Sequence, residues 1–103
     1  MADSEWAQMM TGVKRRIRVD GEKMMLVEVH FDAGITLPTH SHPHEQISYV
    51  ANGRMEFTVD GKTVEVAAGQ NLHLPSNVPH GARSVAESTV LDMFSPPRED
   101  FRK

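Results

Sequence analysis

Cysteine is absent from the 103 residues, which removes disulfides, thiolate metal ligands and a cysteine nucleophile together. Any metal this chain binds is therefore held by nitrogen and oxygen. No stretch approaches the ~18 consecutive apolar residues of a membrane helix. The opening MADSEWAQMM is acidic and lacks the basic start and apolar run of a secretory signal. The expectation is a soluble, cytoplasmic protein with no membrane partner. A basic excess is missing too, because 14 acidic side chains against 11 Lys and Arg leave a formal charge of −3. Nucleic acid, which calls for a basic face, is not an expected partner. Length leaves no room for a second domain, so the expectation is a single domain over 1–103 that buries about two-thirds of its unfolded surface. A core of that size is marginal, and a bound metal or a dimer interface would add stability. No long stretch carries a helical period, so the crossover helices of a parallel sheet have no source.

What the chain does contain is a series of turn signals. They are Asp20-Gly21, Asp32-Ala33-Gly34, Asn52-Gly53, Asp60-Gly61, Ala68-Gly69, then Pro75-Ser76-Asn77 and Pro79. Between them lie runs of about 5 to 8 residues rich in Val, Ile, Met and Phe, the length and content of strands. About eight short antiparallel strands in a sandwich or barrel follow, an all-β class. Arg54 to Val59 alternates, with Met55, Phe57 and Val59 on one face, as in a half-buried strand. Met24 to Phe31 and Thr89 to Phe94 are apolar on both faces, which predicts strands covered on both sides. Asn52-Gly53 and Asp60-Gly61 suit turns of positive φ and predict a hairpin meander. Lys14, Arg16 and Arg18 alternate along an expected edge strand, where charge resists edge pairing. Disorder is expected only near the ends, in the first residues of an arm over 1–12 and in the Arg98 to Lys103 part of a tail over 95–103 if it does not dock.

The chemistry-bearing stretch is HSHPHEQ, His40 to Gln46. In a strand His40 and His42 point to one side, Gln46 matches their parity, and His80 from a distant strand can supply a third imidazole. Imidazole suits Zn, Fe, Ni, Cu or Mn, and an amide oxygen is a weaker neutral ligand. By spacing alone the run fits a metal arm or a polar surface loop equally well. His30 and His73 lie inside strand-like runs and read as packed or surface residues.

Gly34, His40, His42, Gln46 and Gly53 resemble, in order and spacing, the first motif of the cupin superfamily over 34–53, with glutamine where the family usually has glutamate. Gly69, Pro75 and His80 resemble its second motif over 69–84, with Asn77 replacing an internal glycine and Ser84 a closing asparagine. Asn tolerates the left-handed backbone a glycine would supply. The resemblance implies a small antiparallel double-stranded β-helix, the cupin jelly-roll barrel. It also implies one divalent transition metal ion (Zn, Ni, Fe, Mn, Co or Cu) on His40, His42, Gln46 and His80. His44 is skipped by the family pattern and reads as a rim residue behind the ligands.

The ending Asp92, Phe94, Pro96, Arg98, Glu99, Asp100, Phe101, joined to the HSHPH-x-Q run, is similar to a pectin-degrading branch of that family. This implies an enzyme that opens 4,5-unsaturated monouronates from pectin or alginate breakdown to linear keto sugar acids. In that reading Asp92 is the acid and base and Phe94 lines the substrate site. Arg98 serves catalysis and binds the substrate carboxylate through its fork of donors. A neutral Gln46 leaves the metal's charge uncompensated, which favours an anionic substrate. A metal-dependent dioxygenase and a non-catalytic sugar-acid-binding module are the competing readings. The family habit and the apolar Met24 to Phe31 run imply a homodimer.

Overall fold

The computed structural model describes residues 3–102, and the parts of the expected arm and tail at 1, 2 and 103 lie outside it. Among the described residues are ten strands and one 3-10 turn. In chain order they are β1 (Ala7–Met10), β2 (Val13–Asp20), β3 (Met25–Phe31), β4 (Thr36–His40), β5 (Glu45–Asn52), β6 (Arg54–Val59), β7 (Lys62–Ala67), β8 (Asn71–Leu74), β9 (His80–Ser84), β10 (Ser88–Ser95) and the turn Glu99–Phe101. They form two antiparallel sheets, ordered β1-β2-β3-β10-β5-β8 and β4-β9-β6-β7. This is the jelly-roll expected, with two more strands than the turn signals suggested. Inward residues of both sheets meet in one core, Val27, Val29, Val50, Val90 and Phe94 from the first and Met55, Phe57 and Val66 from the second. Each such side chain, once buried, stabilises the barrel by about 1.5–3 kcal/mol.

Three local expectations are corrected, and the Asp60-Gly61 hairpin is found where it was expected. Asn52-Gly53 is not a hairpin, because β5 and β6 belong to different sheets and the pair is the corner between them. Gly53 has φ 91, and a Cβ there would stand 2.3 Å from Glu87 O and Ser88 Oγ, so the corner is tight as well as left-handed. Asp60-Gly61 is the hairpin, φ 50 then φ 80, between β6 and β7. β3 and β10 are covered on one face only: Met25, Val27, Val29 and Phe31 are buried, Leu26, Glu28 and His30 are half-buried, and Met24 is exposed. β2 is not an edge, since β1 pairs along it and Ser4 N continues the contact to Ile17 O. Its charges are held on the outside: Arg16 and Arg18 bond Glu28, and Lys14 and Arg16 lie over the Trp6 ring.

The tail docks. Phe101 packs against the core beside Phe94, and Arg102 bonds Asp20. Ser84 ties the two motif regions together, because its hydroxyl accepts from Ile35 N at 2.9 Å and donates to Asp32 O. A hydroxyl thus serves where the family asparagine was expected. Asn77 has φ 65, the conformation its replacement of glycine required.

Candidate metal centre and active site

Three imidazoles meet at one end of the barrel. His40 closes β4 and lies opposite His80, the first residue of β9, in the strand register. His42 is not on a strand, as the parity reading assumed; it sits in the connection from β4 to β5, past the point where the ladder ends. The turn nevertheless carries it inward, and His42 and His80 are both buried while His40 is exposed. Ligand atoms of the three rings lie within 4.8 Å of one another. Gln46 enters from the other sheet, on β5, with Oε1 3.0 Å from His42 Nε2.

The donor set fits a cation. Each ring is fixed by a backbone carbonyl two residues away, His40 Nδ1 to Pro38 O at 3.0 Å, His42 Nδ1 to His44 O at 3.0 Å and His80 Nδ1 to Val78 O at 2.9 Å. A carbonyl only accepts, so each Nδ1 carries a hydrogen, and in the neutral form of a ring Nε2 is the bare nitrogen. Burial, reinforced by the charge of Arg98 and the nearby His80, pushes His42 down to about 4. Burial also lowers His80. Ring nitrogens that converge in this way, with a glutamine oxygen facing one of them, form a nitrogen and oxygen donor set suited to a transition metal ion. His44 stays behind the group: its carbonyl orients His42, its ring meets Phe94 edge-on, and its own buried Nδ1 has no partner among the described residues.

Asp92 and Phe94, two residues apart on β10, face the same cavity, together with His40, Gln46, His80 and Arg98. Asp92 lies opposite Ser48 in the register and accepts the Ser48 hydroxyl at 2.6 Å. Burial raises its pKa to about 6, against the opposing pull of hydrogen bonds from Ser48 and Gln46 and the charge of Arg98. Phe94 belongs to the core and to the site at once, meeting His42 edge-on at 5.8 Å between ring centroids.

Arg98 reaches the cavity from the tail, with its guanidinium 4.9 Å from the Phe94 ring and 4.2 Å from the Phe101 ring. The fork expected to meet the substrate is already engaged, since Nε and Nη2 donate to the two carboxylate oxygens of Asp100 at 3.0 and 2.9 Å. Nη1 is left without a protein partner among the described residues. Lys14, Arg16 and Arg18 are far from this chemistry, bound to the outer face. Sequence reasoning gave Ser48, Asp100 and Phe101 no role in the site. Asp100 and Phe101 stood in the shared ending, and Ser48 had the weaker signal of a polar residue at the inward parity of Gln46 and Val50.

Comparison with known proteins agrees with this geometry. The family described as Cupin domain matches residues 27–94. The chain is 37% identical over 101 residues to the pectin degradation protein KdgF of Dickeya dadantii, covering 96% of this chain and 92% of that protein. It superimposes on the structure of KdgF from Halomonas sp. with a TM-score of 0.89 at 34% identity, covering 93% and 89% of the two chains. An RmlC-like cupin from Shewanella frigidimarina gives 0.90 at 36% identity, covering 95% and 88%.

Proposed function

The chain belongs to the cupin family, and from that premise we propose that it opens the ring of 4,5-unsaturated monouronates from pectin or alginate breakdown, releasing linear keto sugar acids. The observation that carries this reading is the placement of Asp92, a buried acid with a pKa near 6, in one cavity with His40, His80, Gln46 and Arg98, beside the three-imidazole group that His42 completes. The near full-length similarity to KdgF proteins supports the same substrate class.

His40, His42, His80 and Gln46 would hold a divalent transition metal ion (Zn, Ni, Fe, Mn, Co or Cu), which would supply Lewis-acid stabilisation of oxygen anions. The proton work belongs to Asp92. It takes the proton of the anomeric O1 hydroxyl; O1 becomes the C1 carbonyl as the C1 to ring-oxygen bond breaks. The ring oxygen is left as the enolate at C5. Asp92 then returns the proton to C4, and the C5 enolate becomes a ketone. One group suffices because the proton leaves one end of the opened unit and is needed at the other. Arg98, poised by Asp100 and stacked on Phe94 and Phe101, meets the substrate carboxylate with Nη1 and its positive field. Phe94 gives the sugar an apolar wall.

A homodimer completes the proposal. Leu91 lies beside Tyr49, and Met93 beside Ile47 and Leu26, so one apolar row crosses the outer faces of β3, β10 and β5. Ile47, Tyr49 and Met24 are exposed in the single chain.

The test is loss of the conjugated enol-ether absorbance when purified protein meets lyase-generated unsaturated monouronates. The absorbance is expected to fall with the untreated protein, to persist after chelation and to be restored by added metal. With metal supplied in excess, so that any loss of affinity is offset, Asp92→Ala is expected to abolish turnover. Full turnover by that variant, or binding of the uronate with no change in its NMR spectrum, would overturn the reading.

A further inference from the structure

A polar chain leads out of the histidine cluster, and it has a direction. Gln46 Oε1 faces His42 Nε2 at 3.0 Å, Gln46 Nε2 donates to Ser48 Oγ at 3.0 Å, and Ser48 Oγ donates to Asp92 Oδ1 at 2.6 Å. Ser48 is fully buried, on the inward face of β5 two residues beyond Gln46. Its hydroxyl has one proton to give. When that proton goes to Asp92, only lone pairs remain for Gln46, whose NH2 must then turn toward Ser48. The amide oxygen is thereby directed at the imidazoles.

The reversed amide is a real competitor. It would give its NH2 to the bare Nε2 of His42 and accept the Ser48 proton on its oxygen, satisfying both neighbours. It would also place a group with no lone pair where a metal ligand is needed. What separates the two arrangements is the acceptor at the far end of the chain. A hydroxyl bonded to a carboxylate makes a charge-assisted bond roughly twice as strong as a neutral one, so Asp92 captures the proton and the orientation of Gln46 follows.

We propose that Ser48 is a positioning residue that sets the polarity of the ligand group: it takes its direction from Asp92 and keeps the oxygen of Gln46 toward the metal. This rests on reading His40, His42, His80 and Gln46 as a metal site. It adds a link by which the acid-base residue and the ligand set are oriented together, the Ser48 hydroxyl proton acting beside the pull of the Gln46 NH2 on Asp92.

The experiment is cobalt(II) titration of the metal-free full chain, following affinity and the visible ligand-field spectrum. Ser48→Ala removes one oxygen from a buried position, and thermal melting of the metal-free variant confirms its fold. Its cobalt dissociation constant is expected to rise roughly 10-fold or more, the usual effect of losing a group that orients a ligand. Its spectrum is expected to move toward that of Gln46→Leu, while Ser48→Thr, which keeps a hydroxyl, restores both. A folded Ser48→Ala protein with the parent affinity and spectrum would overturn the role of Ser48, because Gln46 would then be held without it. Failure of the parent chain itself to take up cobalt would overturn the metal-site reading and this inference with it, whatever the variants do.

Discussion

Asp92 holds its proton over a range in which an ordinary aspartate is ionised, because burial outweighs the bonds from Ser48 and Gln46. In the metal-free protein one carboxyl carbon is therefore expected to titrate near pH 6 by NMR, and that signal is expected to vanish in Asp92→Asn. In the loaded enzyme the added positive charge favours the carboxylate further. The base form is then present from below pH 6 upward, and kcat/KM is expected to fall only on the acid side of that value. A rise in kcat/KM that begins above pH 7 would remove Asp92 as the base. Asp92 was legible through the ending that resembles the pectin-degrading branch. Ser48 carried only the weak signal of a polar residue on an inward face, since a serine in a strand is common. Asp100 stood in that same ending without a role, because its bond to Arg98 depends on a turn that no local pattern announces.

At the scale of elements, the pairing of β4 with β9 sets the distance between His40 and His80, and Gly81 is the residue that permits it. A Cβ on Gly81 would lie 3.0 Å from Leu37 O and 3.2 Å from Thr39 N, both in β4. Gly81→Ala is thus expected to press the strands apart and weaken metal affinity by about 10-fold, with only a small drop in the melting temperature of the metal-free protein. Equal affinity by metal titration would show that the strands absorb the methyl without moving the rings. Strand existence was read well from alternation, as β6 and the β6-β7 hairpin demonstrate. Sheet membership was not, because a turn signal such as Asn52-Gly53 marks where the chain bends and is silent about which sheet it enters next. The same limit applied to His42, which reaches the site through a connection that strand parity does not govern.

For the whole molecule, the apolar row of Leu26, Ile47, Leu91 and Met93 lies on the outer face, away from the cavity, so assembly and chemistry are separable. Ile47→Glu is expected to halve the molar mass seen by light scattering while leaving metal content intact. A parent chain that runs as a monomer at micromolar concentration would dismiss the dimer. The barrel and its site histidines were legible because motif spacing survives as sequence, whereas the outer face was misread as covered on both sides since a single chain does not reveal what lies beyond it. The three carbonyls that hold Nδ1 of the site histidines bear finally on the solvent. His42, pushed down to about 4, carries no second proton at neutral pH, so loading an ion transfers none from it to the buffer, and the heat it contributes does not depend on which buffer is chosen.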